Sequence, residues 1–226
     1  MMRYFLILCF SISFFAHAQT GEGRYTFVFL NTNPDRPDIP QEQVDSLQAG
    51  HMANIGRLIK ERKMIAAGPY YTGGGIFIFD TNLEETQAVL DSDPAIAAGR
   101  FKLEVYPFDM LEGEICTLWD KEESEVQMTT YQFARFQPDS DFSNLSRERT
   151  NRLTQKHLAK MANEVEGFEV LGILSFTGNQ GQVAIYKANY EDGHEDLLAN
   201  HLFVKQGMMT LEHKKLYFAQ GVFCER

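Results

Sequence analysis

Two stretches of this 226-residue chain are one unit written twice, and that repeat limits the folds open to it. Tyr25-Thr-Phe-Val-Phe-Leu returns as Tyr131-Gln-Phe-Ala-Arg-Phe and His51-Met-Ala-Asn as His157-Leu-Ala-Lys, and 131 − 25 and 157 − 51 both equal 106. Gly99 with Leu103-Glu104 maps onto Gly207 with Leu211-Glu212 at a shift of 108, so the halves differ only by small loop changes. The length then divides into two units of about 100 residues.

Each unit reads as mixed sheet and helix. Tyr25, Phe27 and Phe29 alternate with Thr26, Val28 and Leu30, a period-two pattern with both faces largely apolar, which predicts a strand covered on both sides. After the proline-rich loop 31–40, a helix is expected from Gln41 to about Lys63. Met52, Ile55, Leu58 and Ile59 face the sheet, and Ala66-Ala67-Gly68-Pro69 ends the helix. Gly73-Gly74-Gly75 reads as a hairpin turn before the strand Ile76–Phe79, because no helix or Lys-Ser pair follows to make a phosphate loop. A second helix starts with Asn82 or Thr81 as its cap, a short one starts at Asp93-Pro94, and a strand through Phe101, Leu103 and Val105 closes the unit. The order is β-α-β-α-β, with room for an extra strand.

The second unit repeats this order, with a strand Tyr131–Phe136, a helix from about Thr154 to Val165, a strand Val183–Lys187, a helix around Glu195 to Val204 and a closing strand Lys215–Phe218. Between the units, residues 109–128 hold seven acidic side chains and one basic one, Lys121. This is an acidic linker in which Ile115–Trp119 is apolar enough for a strand, with Trp119 as a packing anchor.

Arg3, the apolar run Tyr4–Phe15 and Ala16-His17-Ala18 form a signal peptide over residues 1–18, with a retained anchor as the alternative. A secreted or periplasmic location is expected. Two cysteines then remain, Cys116 and Cys224, either paired or acting as buried thiols. The net charge of −10 becomes −11 when Arg3 is lost, which disfavours nucleic acid and anionic membrane as partners.

His51 shares a helical face with Ile55, Leu58 and Ile59, and His157 stands likewise with Met161 and Val165. Such a histidine is either a satisfied core residue or part of a site. Asp93 has an ordinary role as N-cap before Pro94, and a capping carboxylate can also turn one oxygen toward an imidazole to orient it for proton transfer.

His51 opening its helix segment, Ala67-Gly68-Pro69, Asp91-Ser-Asp93-Pro94 and Ala97-Ala98-Gly99 resemble the YCII-related family of the dimeric α+β barrel, or ferredoxin-like, superfamily. The resemblance covers residues 24–108 well and 129–226 in outline. It implies an α+β fold in which each unit is a four-stranded antiparallel sheet with helices on one face. Two such units pack here as an intramolecular barrel, a monomeric pseudo-dimer or a homodimer of such chains. It also implies His51 and Asp93 as an acid–base pair, and some relatives are dehydrochlorinases. In the second unit His201 takes the place of Asp93, because 99 − 93 equals 207 − 201, and His157 with His201 is expected to be a degenerate site that binds no metal.

The expected function is a cofactor-independent lyase or isomerase of a small cyclic or aromatic ligand, with Tyr25, Tyr70 and Tyr71 as possible pocket residues. The alternative is a noncatalytic binder or a filled structural barrel. Haem, which the superfamily includes, is a third option that the apolar setting of His51 permits.

Overall fold

The computed structural model describes residues 25–139, 145–189 and 194–224. The expected signal peptide, Cys9 and Arg24 lie outside them. The first half runs β1 (Tyr25–Thr32), α1 (Gln41–Lys60), β2 (Met64–Pro69), β3 (Gly75–Phe79), α2 (Leu83–Leu90), α3 (Pro94–Ala97) and β4 (Phe101–Glu112). The second runs β5 (Met128–Pro138), α4 (Arg147–Glu164), β6 (Glu169–Phe176), β7 (Gln182–Lys187), α5 (His194–Ala199), α6 (Leu202–Lys205) and β8 (Met209–Ala219).

One eight-stranded sheet joins the halves in the order β2-β3-β1-β4-β6-β7-β5-β8. Each half contributes the same local order, and neighbouring strands pair antiparallel. The fold class is therefore that of two tandem ferredoxin-like units. They meet at a first seam where β4 pairs with β6, Phe108 opposite Phe176 and Met110 opposite Leu174. At the second seam β8 meets β2 through a single bridge, Leu216 to Tyr70, and the Tyr71 amide donates to the Lys215 carbonyl at 3.1 Å. This seam is shorter because Pro69, which has no N–H, stands where β6 carries Ser175. Gly68 permits the approach, since a Cβ there would lie 2.3 Å from the Tyr217 carbonyl oxygen.

Strand alternation builds two kinds of core. Phe27 and Phe29 point into the barrel, where they meet Phe108, Phe133, Phe176 and Phe218 from both halves. Val28 and Leu30 point the other way and pack with Leu58, Met64, Phe77, Phe79 and Leu90 beneath the first half's helices. The second half has its own outer layer, centred on Phe136, Leu158, Met161 and Tyr186.

Several expectations need correction. The first helix stops at Lys60, because Arg62 takes a left-handed φ of 56° and turns the chain into β2. Ala66–Pro69 is thus part of a strand, and the half reads β-α-β-β-α-α-β. In the second half the helix begins at Arg147, where the Ser146 hydroxyl accepts from the Arg149 amide, and the extra strand is β6. The helix expected over Glu195–Val204 is two helices parted at His201, and the closing strand is much longer than Lys215–Phe218.

Residues 115–119 do not form a strand; they make one bridge, Ile115 to Phe223. Trp119 is an anchor, its Nε1–H donating to the Met64 carbonyl at 2.8 Å. Cys116 and Cys224 are joined in a disulfide across a sequence separation of 108, which holds Val222 and Phe223 against one end of the barrel.

A crosslink closing so long a loop restricts the unfolded chain strongly. Replacing both cysteines by alanine is expected to lower unfolding free energy by about 2 to 5 kcal/mol in urea titration. Reductant should then lower the midpoint of the wild type and leave the variant unchanged; equal midpoints for the two proteins without reductant would contradict the assignment.

Candidate active site

The N-terminus of α3 fixes one member of the site. Asp93 is its N-cap, with Oδ1 accepting from the amides of Ala95 at 2.9 Å and Ile96 at 3.1 Å, and Pro94 occupies the first helical turn. Its other oxygen, Oδ2, lies 2.8 Å from His51 Nδ1 and 3.2 Å from Asn54 Nδ2 on α1. Capping and orienting are thus done by one carboxylate. Gly50 allows α1 and α3 to come this close, because a Cβ there would fall 2.6 Å from Pro94 Cγ.

The chemistry follows from what each atom can do. The carboxylate accepts, so His51 Nδ1 carries the ring proton and Nε2 keeps the lone pair in the neutral ring. His51 is 8% exposed and Asp93 1%. Among the described residues Nε2 has no hydrogen-bond partner, and it is not one of the buried atoms left unpaired, so it is the edge of the ring that faces outward. The ring itself lies against Phe77 and Phe101, with centroids at 5.8 and 5.7 Å.

Burial alone would raise the Asp93 carboxyl. The bond and charge of His51, with the Ile96 amide and Asn54, outweigh it and hold the group below its ordinary value.

Three further residues, Asn54, Arg57 and Ser92, which sequence alone does not assign to the site, back this pair. Asn54 donates to Asp93, and its Oδ1 accepts from Arg57 Nη2 at 2.7 Å. Arg57 Nη2 also donates to Ser92 Oγ at 2.9 Å. The signal for Asn54 was present, since it lies three residues after His51 on the same helical face.

The second half keeps the scaffold and loses the arrangement. His201 caps α6 by position, yet its side chain makes no capping bond. His157 Nε2 lies 3.0 Å from the Leu197 carbonyl, an acceptor, so here Nε2 carries the proton. His201 is fully buried, its Nε2 lies 3.3 Å from Thr154 Oγ1, and its Nδ1 has no partner. The two rings meet edge to face at 5.3 Å without a hydrogen bond. Burial first, and the neighbouring His157 second, push the His201 imidazole down to about 4. Among the described residues no group of three or more His, Cys, Asp or Glu side chains is placed to hold a metal ion.

The three tyrosines are not brought to His51. Tyr25 and Tyr70 point into the barrel, on the far face of the sheet. Tyr71 is 63% exposed, bonds Thr130 through its hydroxyl, and helps line a cleft of about 270 Å³ with Pro69, Tyr70 and Tyr217. A larger cleft of about 760 Å³ lies between α2 and Val105. Neither of these two clefts is lined by a histidine.

The architecture is that of the dimeric α+β barrel proteins, and comparison with solved structures agrees. A mutant chlorite dismutase from Candidatus Nitrospira defluvii in complex with cyanide is 12% identical, with a TM-score of 0.53 over 90% of this chain and 93% of that one. A second mutant of that enzyme is 13% identical, with a TM-score of 0.52 over 87% and 92%. At these identities the likeness is one of fold. No family model matches the chain, and no curated protein matches it.

The depressed His201 has a consequence for stability. The folded chain holds that proton less tightly than the unfolded one, so stability is full above pH 6.5 and falls as pH drops toward about 4. The loss should be on the order of 2 to 3 kcal/mol. Urea titrations at several pH values should show this slope, and His201→Gln should flatten most of it; an unchanged slope would place the proton uptake elsewhere.

Proposed function

We propose that the first half is a cofactor-independent acid–base site of the YCII-related kind, acting as a lyase or isomerase on a small cyclic or aromatic molecule. His51 Nε2 takes a proton from the substrate and returns it or passes it on. Asp93 holds the ring by Nδ1 and stabilises the imidazolium that forms, while Asn54 fixes the carboxylate. One observation carries the reading: His51 has Nδ1 tied and Nε2 outward, whereas His157 has spent Nε2 on a backbone carbonyl.

The disulfide supports an exported protein, since such bonds persist in oxidising compartments. The acidic charge supports a small-molecule partner over nucleic acid or an anionic membrane surface. Duplication supports a monomeric pseudo-dimer, because the second unit supplies the barrel's other half.

A second reading has its own observation. The middle of the barrel is packed with aromatic side chains, Phe27, Phe29, Phe133 and Phe176 among them, which favours a noncatalytic, structural role.

Assaying purified protein against unsaturated lactones and chlorinated cyclic compounds separates the two. Turnover by the wild type should fall about 10²- to 10⁴-fold in His51→Ala and persist in His157→Ala. Asp93→Asn should fall as well, because an amide can favour the wrong tautomer. Turnover that survives His51→Ala would end the acid–base reading.

A further inference from the structure

The inside of the barrel carries a layer of charge that the His51 site does not use. Arg135 on β5 points inward with Tyr131 and Phe133 and is 5% exposed. Across the barrel, its Nη1 and Nη2 donate to the two oxygens of Glu104 on β4 at 3.1 and 2.7 Å. Asn31 Nδ2 and the Tyr106 hydroxyl donate to the same carboxylate, each at 2.8 Å. The guanidinium lies 3.9 Å over the Phe29 ring. These contacts use the fork of Arg135 and leave its Nε–H buried with no partner.

A second unpartnered donor lies in the same layer. Tyr70 is 4% exposed, packs on Phe133 at 5.1 Å, and has a buried hydroxyl without a hydrogen bond. Lys214 Nζ covers its ring at 4.4 Å and pairs with Glu212 at 2.8 Å. Glu212 stands opposite Arg135 in the β5–β8 register. Side chains at the rim are open, Glu104 at 31% and Glu212 at 46% exposed, while the floor is closed. The other end of the barrel is filled by Val222 and Phe223. Buried donors in folded proteins nearly always have acceptors, so two in one layer mark a place where an acceptor can be bound.

The charges select its kind. Arg135 and Lys214 are balanced by Glu104 and Glu212, so an added anion would be uncompensated at the floor. We infer that this mouth of the barrel binds a small neutral molecule through a carbonyl oxygen, which accepts from Arg135 Nε and the Tyr70 hydroxyl. Lys214, a flexible chain lying over Tyr70, swings aside to admit it. The site is separate from the His51 pair, which lies on the other face of the sheet.

The arginine Nε–H resonances of the ¹⁵N-labelled chain test this, with 2-pyrrolidinone as the neutral probe and acetate as the anionic one. The resonance absent from Arg135→Lys is that of Arg135. It should shift saturably with 2-pyrrolidinone. Tyr70→Phe, whose fold the same spectrum checks, should weaken binding about tenfold through loss of one hydrogen bond. Lys214→Ala should tighten it several-fold by uncovering the floor. No shift with 2-pyrrolidinone, together with a cross-peak from Nε–H to water alone, would show an ordered water only and overturn the inference, as would tighter binding of acetate.

Discussion

One interior shared by two halves governs this molecule. Phe27 and Phe29 from the first unit have their partners in Phe133 and Phe176 of the second, so neither sheet can bury its inner face alone. That sharing explains why both faces of β1 are apolar and why β4 must find β6. It also leaves the helices on the outside, where each half can vary without disturbing the barrel.

The variation is visible at one pair of equivalent positions. Asp93 closes the first turn of α3 and turns an oxygen to His51, whereas His201 at the same place in α6 is neutral, buried and uncapped. The consequence is a difference in which nitrogen carries the proton. Both halves carry the histidine at the same place in the repeat, and in the half without the carboxylate His157 Nε2 is set on the Leu197 carbonyl.

Much of the barrel was legible, and its weak points have physical causes. Strands with aromatic alternation, such as β1, β3 and β5, were plain because both faces pack. β2 was hidden because Ala66, Ala67, Gly68 and Pro69 are small residues fitted to a close approach by β8, and such residues also end helices. The true start of α4 was missed because Thr150 and Thr154 face inward, where they join Gln182 and His201 in a polar cluster that breaks the apolar period. Asp93 was legible as a cap, but its distance to His51 depends on Gly50 meeting Pro94, a tertiary contact. The Arg135–Glu104 pair was illegible for the same reason, since its members lie on different units and charged residues in a strand ordinarily read as solvent-facing.

The two halves hold the same histidine in opposite tautomers, one offering Nε2 and the other spending it. Two-bond ¹H–¹⁵N correlation of the imidazole rings at neutral pH measures this directly. His51 should carry Nδ1–H and His157 Nε2–H, with Asp93→Asn disturbing the first alone. Finding Nε2–H in both rings would mean that Asp93 does not orient His51, and the difference between the halves would vanish.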